Sequence, residues 1–205
     1  MRLRGFTLVE LLVVLTISAI LVAAAVPSFV WLMTTTRVSN GANTLSAAFE
    51  RARSEAVRRG TVVSVCRTLN PNAIESALAC TNAAGGGYAA GDWSAGWVMF
   101  EKRTATAAGV FDWNGGVDPD VVLQREQSVS PGASRLLIVS NVAGAAVAYN
   151  QFGSAASSSP SFSIDHRDIS TVPLSSASRC LVVAVVTGRV LIRKPTAPEA
   201  AAGAC

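Results

Sequence analysis

Three cations close the last apolar run of the chain: Arg189, Arg193 and Lys194, in "TGRVLIRK". On a strand, Arg189, Leu191 and Arg193 face one way while Val190 and Ile192 face the other. The two guanidiniums then stand about 13 Å apart at ~3.3 Å per residue, a reach that suits successive phosphates of one nucleic-acid strand. Elsewhere reactive side chains are sparse. His166 is the single histidine, set among charges in "IDHRD", and reads as a surface residue. One histidine leaves little for acid–base catalysis or for a metal site. Asp112, Asn114, Asp118 and Asp120 gather around glycines in "DWNGGVDPD". They lack the regular spacing and closing glutamate of an EF-hand calcium loop and read as solvated acids on a turn. "GGGY" at Gly85–Tyr88 reads as loop, because no phosphate-loop or dinucleotide fingerprint follows a strand. No enzymatic activity, metal or cofactor is expected.

Four cysteines, Cys66, Cys80, Cys180 and Cys205, contain no CxxC and are spaced too irregularly for zinc. In an exported chain two disulfides are the expectation. Three connectivities are open. Cys66–Cys80 with Cys180–Cys205 is favoured, since each pair spans a Gly/Ala-rich or irregular stretch. Closing a loop of about 15 residues contributes roughly 3 kcal/mol in the chain-entropy model.

The remaining chemistry is one carboxylate in the wrong solvent. From Phe6 to Val26 the chain is almost wholly apolar, yet it contains Glu10. As a helix this run is about 31 Å long at 1.5 Å per residue, close to the ~30 Å of a bilayer core. Arg2 and Arg4 precede it and no cation follows until Arg37, so the N-terminus stays cytoplasmic and the rest is sent outward. A secretory signal peptide, cut near Ala23 and Ala25, and a plain single-pass anchor are the simpler alternatives. The run exceeds the length of a signal h-region, and neither alternative accounts for Glu10.

Behind these residues stand two kinds of element. After Pro27, Val38, Ala42, Leu45, Phe49, Ala52 and Ala56 recur at spacings of three and four, the apolar stripe of a helix. Arg51, Glu55 and Arg59 are i,i+4 neighbours on its surface. Arg58 and Arg59 suit its C-terminal dipole, and Gly60 its C′ position. A helix from Phe6 to about Arg59 is expected, with Pro27 kinking or opening it. Beyond Gly60 the period becomes two. "TVVSVC", "WVMFEKR", "VVLQRE", "RLLIVS", "AVAYNQ", "SFSIDHR" and "CLVVAVVTGRVLIRK" read as strands, the last folding into a hairpin at Thr187–Gly188. The tail "PTAPEAAAGAC" has no periodicity and, without Cys205, reads as disordered. The chain has 205 residues, 50% hydrophobic and 15% charged, with a formal net charge of +4 to which Arg2 and Arg4 contribute. Global charge therefore argues weakly for a polyanion partner, and any such case rests on clustering.

The segment "RGFTLVELLVVLTISAILVAAAVPSF" resembles the class III signal of type IV pilins and their type II secretion relatives. "LSAAFERARSEAVRRGTVVSVC", "GWVMFEKR", "FDWNGG" and "YNQFGSA" further resemble the FimT/GspH minor pilins. The resemblance thins between Asn70 and Gly91 and after Lys194. It implies a leader over residues 1–5, cleaved by prepilin peptidase between Gly5 and Phe6, with Phe6 then N-methylated. It implies a transmembrane or filament-core helix over 6–27, an amphipathic helix over 28–59 and a β-rich head over 60–205. The fold class is α+β: a long N-terminal helix packed on an antiparallel, sandwich-like head. Cleavage would create an α-amine, cationic near neutral pH, one helical turn from Glu10. Glu10 can pair with its own amine or with that of a neighbouring subunit; the resemblance implies the second, which makes it a register device for assembly. The implied partners are other pilins and minor pilins, the peptidase and the inner membrane, with the head in the periplasm or outside in a pilus. A minor type IV pilin is the leading reading, and a minor pseudopilin of type II secretion the runner-up. Some FimT-type pilins bind DNA through a Gly-Arg-x-Arg pattern. Here the second arginine of Gly188-Arg189-Val190-Leu191 is displaced, which leaves Arg189, Arg193 and Lys194 as candidates for double-stranded DNA and natural transformation.

Overall fold

The computed structural model describes residues 7–103, 113, 120–127, 136–141, 145–156, 160–166, 177–202 and 205. Within the first helix, the side chains at 24 and 26–28 are outside that set. Helix α1 covers Leu8–Arg59 and the helix continues through position 27. The opening expected at Pro27 is therefore absent. A proline removes one donor, and the helix around it keeps its other hydrogen bonds. The helix ends as its sequence predicts, with Gly60 at φ +67° donating its N–H to Ala56 O at 3.0 Å.

The chain divides into two compact units, Met1–Thr36 and Arg37–Cys205. In the first, the described side chains from Leu8 to Met33 are exposed, whether apolar or not. Thr16, Ser18, Thr34, Thr35 and Thr36 turn their hydroxyls onto carbonyls three or four residues back, which satisfies them within the helix.

In the second unit, the strands are β1 (Val62–Arg67), β2 (Gly96–Lys102), β3 (Val121–Gln127), β4 (Leu136–Ser140), β5 (Ala146–Tyr149), β6 (Ser161–His166), β7 (Arg179–Val183) and β8 (Val190–Arg193). They form two antiparallel sheets in the orders β3-β2-β1-β5 and β4-β6-β7-β8. Val38, Ala42, Leu45, Phe49, Ala52 and Ala56, the stripe read from the sequence, are all buried. They share one core with Val63, Val65, Trp97 and Met99 from one sheet and Ile138, Phe162, Ile164 and Leu181 from the other. Phe49, Trp93 and Phe162 meet ring to ring, with centroids 5.2–6.1 Å apart. Gly41 lies so close to β4 that a Cβ there would meet Leu136 Cδ2 at 2.6 Å.

The first sheet is buried on its other face too. Cys66, Val98, Phe100 and Ala146 pack with Leu78, Cys80 and Trp113 in a second cluster. Most of that cover comes from the β1–β2 connection, with Trp113 added from between β2 and β3. Arg67, fully buried, holds that connection by donating to the carbonyls of Asp92 (2.7 Å), Thr81 (2.5 Å), Ala83 (3.0 Å) and Ala89 (3.1 Å). The neighbouring Cys66 is bonded to Cys80, and Cys180 is bonded to Cys205.

The tail departs from expectation. Ala197–Ala202 forms a short helix, α2. Glu199 supplies the glutamate half of a capping box there, accepting the N–H (2.8 Å) and hydroxyl (2.7 Å) of Thr196 at its Oε2. Ser161 Oγ donates to Cys205 O at 2.7 Å, so the chain end lies on the second sheet.

Candidate functional site

At the start of α1 the backbone N–H of Glu10 donates to Thr7 Oγ1 at 3.3 Å, and Leu11 N–H to Thr7 O at 3.2 Å. Thr7 is an N-cap, and Glu10 places negative charge in the first turn, where the helix dipole favours it. Thr7 has a role that the sequence reading missed, although "TLVE" carries the T-x-x-E signature of a capping box. The Glu10 carboxylate itself is exposed and forms no ion pair with another described residue. Gly5 and Phe6 lie outside the described residues. Among the described residues, no helix is long and apolar enough to cross a membrane.

Leu8 is 78% exposed and Met33, near the far end of the same stretch, 42%. Between them Val9, Leu12, Leu15, Ile20, Phe29 and Trp31 are also exposed. Apolar side chains exposed on every face of a helix have the character of a surface that contacts lipid or protein.

The cationic strand is only partly free. Val190 and Ile192 pack against the core and Leu191 is exposed, as the strand alternation requires. Arg189 and Lys194 are exposed. Arg193 is not a free cation: its Nη1 and Nη2 donate to the two Glu199 oxygens at 2.6 and 2.5 Å. Arg193 and then the Thr196 donors hold the Glu199 carboxyl well below the usual carboxylate range. The hairpin turn places Gly188 at φ +63°, against the Gly153 carbonyl, where a Cβ has no room.

Two readings of the remaining polar residues change. His166 is buried, and its backbone N–H donates to Asp165 Oδ1 at 2.7 Å. Its position on β6, an inner strand of its sheet, removes it from the surface. Asp120 is not solvated: it is buried and pairs with Lys102 Nζ at 2.9 Å. Its second oxygen accepts the Arg103 N–H at 3.0 Å. Asp112, Asn114 and Asp118 lie outside the described residues. On α1, Glu55 meets Arg58 (2.6 Å) and Arg59 (2.7 Å) rather than Arg51. Hydrogen bonds from both lower its pKa, and Arg59 reaches on to Glu101 of β2 at 2.7 Å.

Residues 41–188 match the family model of the type II transport protein GspH, and residues 1–26 match the prokaryotic N-terminal methylation motif. No curated protein matches the chain. Its fold is similar to the crystal structure of the type IV minor pilin FimU of Pseudomonas aeruginosa PAO1, with a TM-score of 0.50 at 15% identity, covering 78% of this chain and 90% of that one. A second crystal form of FimU gives a TM-score of 0.49 at 15% identity, over 77% and 97% of the two chains. At that identity the likeness bears on the fold alone.

Proposed function

The chain belongs to the GspH family, and from that premise we propose that it is a minor pilin, assembled at low stoichiometry into a type IV pilus and supporting its biogenesis. The observation that carries this reading is the apolar, exposed first part of α1 with one carboxylate in it. Before assembly the inner membrane covers it; in the filament, the same part of neighbouring subunits does. Prepilin peptidase cuts between Gly5 and Phe6, and methylation of Phe6 leaves a cation one turn from Glu10. An unpaired carboxylate in that surrounding costs several kcal/mol, which the α-amine of a neighbour offsets. Glu10 thereby selects one register of subunit against subunit.

The test is Glu10→Val in the full chain in its own host. Valine inserts into lipid at least as well as glutamate, so membrane levels are expected to stay unchanged while recovery in sheared filaments falls. Normal recovery overturns the pairing argument. Deletion of the whole chain separates the remaining choices. Loss of pili with secretion intact is expected. Loss of secretion with pili intact makes the protein a minor pseudopilin, the reading that the description of its family model favours. Loss of DNA uptake with pili intact brings Arg189 and Lys194 forward as nucleic-acid contacts, with Arg193 contributing once Glu199 lets it go.

A further inference from the structure

The segment that follows β8 leaves the sheet and is tied back to it. From Lys194 it runs through α2 to Cys205, which is bonded to Cys180 on β7. Cys180 stands opposite Arg193 in the β7–β8 register. The strap therefore starts beside Arg193 and ends on the residue that faces it across the strands. Ser161 Oγ, on β6, donates to Cys205 O at 2.7 Å and adds a second anchor. Within the strap lies Glu199, whose two oxygens take both Nη groups of Arg193 at 2.6 and 2.5 Å.

A guanidinium fork fits two oxygens of a phosphate as it fits those of a carboxylate. Arg193 shares its strand face with the exposed Arg189, and the exposed Lys194 follows it. Glu50, which accepts the Val190 N–H on the same strand, is engaged with Arg53 at 3.7 Å. With Glu199 in place β8 offers two open cations; without it, three. Arg189 and Arg193 stand about 13 Å apart, a reach that a polyanion of repeated charges covers in one binding event. The Arg193 and Glu199 side chains are 34% and 23% exposed, and an ion pair so open to water contributes little, so a competing oxyanion can replace it. The disulfide keeps the carboxylate close at hand, as a tethered competitor at high effective concentration. We propose that residues 194–205 are an autoinhibitory strap: Glu199 occupies the place at Arg193 that a phosphate of double-stranded DNA takes, and DNA engages all three cations by displacing it. The proposal rests on the nucleic-acid reading of Arg189 and Lys194 given above and adds its regulation.

The test measures binding of the detergent-solubilised full chain to a short random-sequence DNA duplex over a series of salt concentrations. Wild type is expected to give a log–log salt slope of about −1.8, from two contacts at about −0.9 each. Glu199→Gln is expected to steepen it to about −2.7 and to bind about tenfold tighter at low salt. Glu75→Gln is the control: it removes the same charge and frees an arginine on the other sheet, Arg125, and is expected to change neither value. Adding Arg193→Ala to Glu199→Gln is expected to restore the wild-type slope and affinity, because the gain passes through Arg193. In the wild type, saturating duplex is expected to speed amide exchange of residues 197–202. Three results overturn the strap while leaving the nucleic-acid reading in place: a gain no larger than that of Glu75→Gln, a gain that survives Arg193→Ala, or exchange at 197–202 unmoved by bound duplex. If neither wild type nor Glu199→Gln binds at low salt, the nucleic-acid reading falls and the strap with it, and Glu10→Val still decides the minor-pilin reading.

Discussion

Helix α1 contains two solutions to one problem. From Arg37 to Arg59 most of its apolar residues, Val57 excepted, keep to a stripe, and two sheets of the same chain bury that stripe. From Leu8 to Met33 the apolar residues occupy every face, and the described ones stay exposed. The first arrangement belongs to a helix with a single covered side; the second, to a helix surrounded by its cover. The difference separates what the chain buries by itself from what, in the proposed reading, a membrane or other subunits cover. Glu10 falls in the second region, where within the described chain it meets only the helix dipole and its proposed partner lies outside.

Paired substitutions are the strongest way to break the comparison. Phe49→Ala removes a fully buried ring from the contact with Trp93 and Phe162, and a loss of about 3–5 kcal/mol in head stability is expected. Leu15→Ala, in the exposed region, is expected to change it by no more than about 0.5 kcal/mol. Denaturant unfolding of the detergent-solubilised full chain, followed by tryptophan fluorescence, measures both. Comparable losses would mean that the first region is covered by its own chain after all.

The disulfides sharpen the same contrast within the head. Cys66–Cys80 closes the connection that Arg67 holds over the first sheet. Replacing both cysteines by serine is expected to cost about 3 kcal/mol, since the freed loop and its four carbonyls belong to the cooperative core. Cys180–Cys205 closes the longer loop, yet replacing that pair is expected to cost less. A tail of one short helix can detach alone, and the loss is limited to its own docking energy. Equal shifts in melting temperature would place the tail in the core unit.

Much of this division was legible beforehand. The switch of period from three-and-four to two at Gly60 located α1 and its strands, because burial on one face imposes that period on the residues. The cysteine pairing followed from which stretches lacked any other constraint. Four things were not legible from periodicity, each because its cause is non-local or its signal short. Arg67 reads as a strand residue, and nothing in its neighbours shows that four carbonyls from residues 81–92 converge on it. His166 and Asp120 look solvated among local charges and are buried by packing from distant elements. Phe152 follows the "AVAYNQ" block with nothing local to mark its exposure, whereas Asn150 turns the chain and leaves its ring outside. Thr7 and α2 each had an overlooked sequence signal. "TAPE" repeats the T-x-x-E pattern of "TLVE": Thr7 Oγ1 accepts the Glu10 N–H, and Glu199 accepts the Thr196 N–H.

That second capping box supports the finest test of where self-coverage ends. Arg193 and then Thr196 hold the Glu199 carboxyl below its ordinary range, so its contribution to tail docking is complete above the unfolded carboxylate pKa of about 4.3. It is lost only as pH falls further, through the lowered folded value. Amide exchange of residues 197–202, corrected for intrinsic rates, is therefore expected to show constant protection from about pH 8 down to about pH 5, then a decline in stronger acid. Glu199→Gln removes the charge but keeps an acceptor for Thr196. The tail should then be less protected at neutral pH, with no dependence on pH over the same range, and Arg193 is left as an exposed cation. Wild type and Glu199→Gln with equal protection at neutral pH would show that Cys205 and Ser161 alone hold the tail. A wild-type decline already between pH 7 and 6 would contradict the lowered carboxyl and point to a different titrating group.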